Sequence, residues 1–570
     1  MKIPYGQSNF KKVITQGFQY VDKTAFIHTL ESEGEYNVLL RPRRFGKSLF
    51  LSMLWYYYDL NAKADFETLF GHLAIGQNPT ASRNQYQVLF LEFSGIATDN
   101  NEGIYSAFNH KIGMAISNFF ERYAYPDAVK QGLMQLDSPT PADKFNYLLS
   151  WARDQKIYLL IDEYDHFANA LLADDLNHFR SIMGKGGFVR AFYEVLKTGT
   201  QQGIIDRLFI TGVTPIMLDS LTSGFNIVKN LSLNATFNEA IGFTRVETES
   251  LIRPLARQCQ LPLDTMMEAV TAWYNGYCFT ENTCNNRLYN ADMVLYFLDN
   301  FDKRECGFPR HMLDENIASD YGKILAIFKI GSRDENYEVL DELINNGFAI
   351  AKQRRKFDFD KGFDRDDFIS LLYYMGFVAF AGNELTHQRF VIPNYVIKVL
   401  YFEYFKVEIE RKNQIAISIR TIEQAVVALA LHNDIEPLRL EAERVLKALS
   451  NRDFLRFDEK HIKMLLVTLL YQSEAYFIQS EPEVNQKYPD ILLLERSPYA
   501  IKHEHLIELK FCKKTDRQKN PAIWDNKLQE GVAQVQGYLA LPDIQPRSKL
   551  SAWVMLTDGD EVRVERVLNQ

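Results

Sequence analysis

Cysteine is scarce in this chain. Five cysteines among 570 residues (Cys259, Cys278, Cys284, Cys306, Cys512), none of them in a CxxC pair, are too sparse for a disulfide scaffold and lack zinc-binding spacing, so they read as thiols. Long hydrophobic runs are missing too. The longest mostly apolar stretch, around Phe368 to Ala381, falls short of the roughly 20 residues a bilayer span requires. The first residues, MKIPYGQSNF, hold no apolar signal segment. A cytoplasmic protein with no membrane segment is the expectation. No GxSxG elbow is present, which argues against a serine hydrolase. Neither a Gly/Ser/Pro-rich linker nor a repeat with a period of roughly 20–50 residues is visible. Positive charge is not in excess: 64 Lys and Arg against 73 Asp and Glu leave a net charge of −9. Overall attraction to nucleic acid is thereby excluded, and any contact must be local. Two basic clusters are candidates, Lys352, Arg354, Arg355 and Lys356 in one and Lys510 to Lys519 in the other, although such clusters are more often solvated faces.

What is present is the balance of a folded protein, with 46% hydrophobic and 24% charged residues. The length suggests three or four units at about 100–200 residues each. Up to residue 242 short apolar runs alternate with amphipathic stretches, the pattern of a parallel α/β sheet. Strands are expected at Tyr36 to Leu40, Val88 to Phe93, Tyr158 to Ile161 and Leu208 to Thr211. Residues 243–450 carry helical periodicities, among them Val294 to Leu298, Ile324 to Ile330 and Ala425 to Leu431. Residues 451–570 open with a helical pattern at Lys460 to Tyr471. Strand-like runs follow at Ala475 to Ile478, Ile491 to Leu494, His505 to Phe511 and Ala552 to Thr557. The expected fold is an α/β P-loop NTPase sheet, a mostly helical middle and a C-terminal α/β domain.

The segment Arg41 to Ser48 reads RPRRFGKS and joins the first strand to a helical run. A triphosphate-cradling loop needs inward N–H groups, a lysine for the β/γ-phosphates and a hydroxyl for Mg²⁺ at a helix N-terminus. Gly46, Lys47 and Ser48 supply the end of that motif, and Arg43, Arg44 and Phe45 complete the loop. Arg41 departs from the pattern, because it stands where the first glycine belongs. Support comes from the apolar strand ending at Asp162-Glu163: there the aspartate would order Mg²⁺ with Ser48, and the glutamate would polarise an attacking water. Thr211, with Thr214 beyond it, closes another strand, where a side chain could sense the γ-phosphate. ATP and Mg²⁺ are the expected ligands.

A second constellation lies near the C-terminus. Asp490 in YPDILLL and Glu508 with Lys510 in HLIELKF offer two acids and a lysine; alternation along a strand puts Glu508 and Lys510 on one face. Metal-assisted phosphodiester cleavage needs this set, with Asp490 and Glu508 holding Mg²⁺ and Lys510 orienting water or stabilising charge. Glu483 upstream and Gln534 on a downstream helix with Tyr538 are further candidates.

YVDKT (Tyr20 to Thr24), RPRRFGKS, LLIDEYD (Leu159 to Asp165), FITGVTPI (Phe209 to Ile216), WYNGYCF (Trp273 to Phe279) and the PD…ELK end together resemble a bacterial family. That family joins an AAA-ATPase-like domain to a C-terminal PD-(D/E)XK nuclease-superfamily domain of restriction-endonuclease-like fold. Arg41 in place of the first glycine is a habit of that family. The resemblance implies that Lys47, Ser48, Asp162 and Glu163 serve an ATPase and that Asp490, Glu508 and Lys510 form a nuclease core acting on DNA. The alternative is an ATP-gated switch or binding protein with a non-cleaving nuclease fold, which the acidic net charge and the altered loop favour. Arg245 and Arg253 follow the Thr211 strand and are the candidates for acting on a neighbouring copy's ATP in a homo-oligomer, although their position fits a plain surface role as well.

Overall fold

A computed structural model describes residues 2–96, 101–174, 176–184, 186–220, 225–280, 286–318, 328, 330–357, 362–450 and 458–568. The chain divides into two compact units. One comprises Met1–Asn300 with Leu313–Tyr395, the other Phe301–Met312 with Val396–Gln570.

The first unit is built on strands β1 (Tyr36–Leu40), β2 (Gln87–Glu92), β3 (Ile157–Asp162), β4 (Ile205–Gly212) and the two-residue β5 (Lys229–Asn230). They are parallel and ordered β2-β3-β4-β1-β5. The four longer strands lie where the sequence placed them. Their apolar runs reflect burial on both faces; every residue of β3 is buried. The carboxyl ends of β1 and β3 deliver Arg41 and Asp162 to the same edge of the sheet, where ligands bind in open α/β folds.

Beyond residue 242 helices dominate, including Arg245–Cys259, Leu263–Tyr274, Ala291–Asn300 and Arg333–Asn345. Thr244 and Glu247 close a reciprocal capping box on the first of these. A three-stranded antiparallel sheet of β6 (Ala349–Ala351), β7 (Ala379–Glu384) and β8 (His387–Val391), ordered β6-β8-β7, was not foreseen. Its strands are short, and the buried helix Arg365–Met375 merges with β7 into one apolar run. Most of the expected period from Ile324 to Ile330 lies outside the described residues.

The second unit carries helices Ile419–His432, Glu436–Ser450, Glu459–Leu470 and Ala522–Leu539 with strands β9 (Tyr476–Ser480), β10 (Ile491–Glu495), β11 (Glu504–Phe511), β12 (Leu550–Thr557) and β13 (Val562–Val567). The sheet order is β13-β12-β11-β10-β9; β11 and β12 run parallel and the other pairs antiparallel. β11 is therefore central and buried on both faces, rather than polar on one. Tight packing enforces this, since a Cβ on Gly531 of the helix Ala522–Leu539 would stand 2.7 Å from Val554 Cγ1 and 3.2 Å from Lys510 Cγ. β13 escaped notice because three of its six residues are charged.

Cys512 is a buried free thiol. Cys259, Cys278 and Cys306 are disulfide-bonded, against the expectation of thiols. Pairing follows from which Cα atoms approach in space, and scattered positions in sequence do not encode that. No helix among the described residues is long and apolar enough to cross a membrane.

Candidate functional site

The loop after β1 turns on two left-handed residues, Arg44 (φ 66°) and Gly46 (φ 103°), and the helix Lys47–Tyr58 starts directly behind them. Glycine adopts this conformation freely, whereas a side-chain-bearing residue such as Arg44 is held there by its surroundings. The Arg44 guanidinium reaches Asp292 Oδ2 at 3.2 Å, the Asp292 N–H donates to the Arg44 carbonyl at 3.2 Å, and Asn290 Nδ2 donates to the Arg43 carbonyl at 3.4 Å. The start of the helix Ala291–Asn300 therefore grips the loop.

Arg41 does not face the loop's interior. Its guanidinium donates to the carbonyls of Leu40 (2.8 Å), Ser232 (2.9 Å) and Phe237 (2.7 Å), lies 4.3 Å from the ring centroid of Phe279, and is pushed down to about 10 by burial. Phe45 likewise turns inward, edge-on to Tyr277 at 4.8 Å and Phe279 at 5.3 Å. WYNGYCF thus forms the floor beneath RPRRFGKS. Arg41 is a structural brace, and the side chain of Phe45 packs in the core while the residue lines the pocket wall.

A cavity of about 390 Å³ opens over this loop, within the usual range for small-molecule sites. Arg43, Arg44, Phe45, Gly46, Lys47, Ser48 and Glu163 all line it, together with Tyr20, Lys23, His166 and Asp292. The Lys47 ammonium donates to the Pro42 carbonyl at 2.9 Å, and burial pushes its pKa down against the pull of Asp162, Glu163 and Asp165. Burial pushes Asp162 up, while a hydrogen bond from Ser48 opposes the shift. Glu163 is itself left-handed (φ 48°) and is held low, first by a hydrogen bond from His166, whose Nδ1 lies 3.1 Å from Oε2. Ser48 and Asp162 present hard oxygen donors that suit Mg²⁺, an ion that keeps several waters and needs few protein ligands.

Thr211 is placed elsewhere. Its hydroxyl donates to the Leu39 carbonyl at 2.9 Å inside the sheet, and the residue does not line the cavity. Thr214 is bound to Asp165 through its N–H (2.6 Å) and hydroxyl (3.0 Å). His166 and Asp292 were missed. His166 could have been noticed, since it follows Glu163 by one helical turn in DEYDH; Asp292 is remote in sequence and carries no such signal.

In the second unit Asp490, at the start of β10, accepts the Leu509 N–H at 2.8 Å. Lys510 Nζ bonds Glu508 Oε1 at 2.9 Å, with both side chains buried. Glu508 Oε2 is also buried but has no hydrogen-bond partner. Asp490 is pushed up to about 7, first by burial and then by the charge of Glu508. Two acids therefore act on each other, with Lys510 bound to Glu508 and the charges of Lys463 and Lys510 felt by Asp490. Oxygen donors with an orphaned carboxylate oxygen fit Mg²⁺, with water completing its shell. Among the described residues no group of three or more His, Cys, Asp and Glu gathers into a denser metal cage.

Glu483 lies exposed on the loop between β9 and β10, with no described interaction bringing it to this cluster. Glu459 enters instead, from the helix Glu459–Leu470. Burial pushes it up, and it feels the charges of Lys510 and Asp490. Gln534 is exposed on the helix Ala522–Leu539, one turn from Gly531 and one from Tyr538. Tyr538 is in turn pushed up to about 12, by burial and then by the charges of Glu508 and Asp490.

Each basic cluster is partly neutralised by neighbouring acids, while Lys352, Lys356, Lys513 and Lys519 are exposed. Lys514 pairs with Asp560, Arg517 with Asp558 (2.7 Å) and Glu561 (2.8 Å), and Arg354 with Asp364 (3.1 Å) and Asp366 (3.5 Å).

Comparison with known proteins matches two parts of the chain to family models. Residues 4–222 match the family model described as predicted AAA-ATPase, and residues 457–567 match that of the PD-(D/E)XK nuclease superfamily. The chain is also similar to the uncharacterized protein in the vnfD 5' region of Azotobacter chroococcum mcd 1, at 27% identity over 307 residues. That match covers 52% of this chain and 52% of the relative, so the chain spans about half the length of the curated relative it matches.

Proposed function

We propose, from a chain that carries an AAA-ATPase-like domain followed by a PD-(D/E)XK nuclease-superfamily domain, that it binds and hydrolyses ATP and that its nucleotide state controls Mg²⁺-dependent cleavage of DNA. The carrying observation is the buried pair Asp490 and Glu508, in which Glu508 Oε2 has no hydrogen-bond partner. A buried carboxylate oxygen without a partner is unfavourable by about 1–3 kcal/mol, more when charged, and a divalent cation removes both the orphaned oxygen and the repulsion. The convergence of Lys47, Ser48, Asp162 and Glu163 supports the nucleotide half.

In the ATPase site Lys47 leaves the Pro42 carbonyl for the phosphates, Ser48 and Asp162 hold Mg²⁺, and Glu163 orients water with His166 fixing its carboxylate. In the nuclease site Asp490 and Glu508 hold Mg²⁺, which polarises the scissile phosphate when bound. The Leu509 N–H fixes Asp490, and Lys510 steadies Glu508 and places positive charge near the reacting phosphate. This reading divides the chain into an ATPase domain over 1–242, a helical middle over 243–450 and a nuclease domain over 451–570, the helical middle being shared between the two compact units. We place the protein in the cytoplasm of a bacterium.

Cation binding can be tested without any substrate. Adding Mg²⁺ or Ca²⁺ to the nucleotide-free full chain is expected to raise the melting temperature of the second unit by about 2–4 °C for each kcal/mol of binding. Glu508→Gln should abolish the rise. An equal rise in wild type and Glu508→Gln would place the cation elsewhere.

A further inference from the structure

Among the described residues of the second unit, Tyr488 is the sole exposed aromatic, with 55% of its surface accessible. Every other described Phe, Tyr or Trp there is buried or half-buried. It lies two residues before Asp490. The chain reaches it through a tight turn in which Val484 and Lys487 exchange backbone hydrogen bonds of 2.8 and 3.0 Å. Asn485 (φ 49°) and Gln486 (φ 63°) are both left-handed, the signature of a type I′ hairpin turn. Below the turn, the Glu481 N–H donates to the Asp490 carbonyl at 3.0 Å.

The turn is also tied to the helix Ala522–Leu539. Lys487 Nζ donates to the Gly537 carbonyl at 3.1 Å and sits 6.0 Å from the Tyr538 ring centroid, while the Tyr538 hydroxyl donates to the Tyr488 carbonyl at 3.4 Å. The backbone of Tyr488 is thus fixed beside the carboxylates while its ring stays in water. An exposed aromatic on a braced segment, two residues from a carboxylate of the proposed phosphodiester site, is suited to hold a nucleobase by its face. Bases inside a duplex offer no free face; unstacked ones do.

We propose that Tyr488 is a stacking platform for the base beside the scissile phosphate, and that the substrate of the nuclease site is single-stranded nucleic acid. This rests on the nuclease reading above and narrows its substrate class.

The test titrates the full chain, in Ca²⁺, against fluorescein-labelled single-stranded DNA and against a duplex of the same sequence, with anisotropy as the readout. Wild type is expected to bind the single strand more tightly. Tyr488→Ala should weaken that binding by about tenfold and leave the duplex unchanged, and Tyr488→Phe and Tyr488→Trp should stay within about twofold of wild type. Unchanged single-strand binding by Tyr488→Ala, or an equal loss for both DNAs, overturns the stacking role while leaving the nuclease reading intact. Failure of wild type to bind either DNA overturns both.

Discussion

Lys47→Ala is expected to lower ATP turnover by about 10²–10³-fold, the usual effect of deleting one preorganised charge from a phosphoryl-transfer site. Lys47 is a buried cation lining the cavity over the loop, and it feels three carboxylates, Asp162, Glu163 and Asp165. Its present partner is a loop carbonyl, Pro42, which a phosphate would replace. Because alanine removes that cation and leaves the acids uncompensated, nucleotide binding should weaken as well. Steady-state hydrolysis and a direct nucleotide titration separate the two effects. Turnover within about twofold of wild type would remove Lys47 from phosphoryl transfer.

Asp490→Ala and Lys510→Ala are both expected to reduce cleavage by at least about 10²-fold, yet they should differ in stability. Asp490 carries a pKa pushed up to about 7 by burial and by Glu508, so deleting it relieves a repulsion that offsets the loss of its hydrogen bond from the Leu509 N–H, and the melting temperature should change little. Lys510 neutralises a buried Glu508. Breaking a buried pair from one side costs about 3–5 kcal/mol, so Lys510→Ala should melt markedly earlier. Cleavage rates and thermal melts on the same samples check both halves. Wild-type cleavage by Asp490→Ala would refute the proposed metal site.

Legibility in the sequence followed the range of the chemistry. Gly46, Lys47 and Ser48, and again Asp162 with Glu163, are consecutive residues at strand ends, so the motifs are written locally; Gly46, Lys47, Ser48 and Glu163 line one cavity, and Asp162 meets it through its hydrogen bond with Ser48. Asp490, Glu508 and Lys510 were also readable, because hydrophobic runs fixed their strands and alternation fixed their faces. Glu459 was not, because a helix face meets a strand only in three dimensions, and the nearer Glu483 drew attention by proximity in sequence alone. Thr211 illustrates the opposite difficulty: a threonine at a strand end can point toward a ligand or toward the neighbouring strand, and Leu39 claimed it. The grip of Asn290 and Asp292 on the loop joins segments far apart in the chain, which no local pattern announces.

Control of cleavage by nucleotide is the central claim, and one measurement addresses it most directly: single-stranded DNA cleavage by the full chain in Mg²⁺, with ATP, without nucleotide, and for Lys47→Ala with ATP. The account predicts that ATP changes the wild-type rate and that Lys47→Ala with ATP cleaves like nucleotide-free wild type. Equal rates under all three conditions would contradict it.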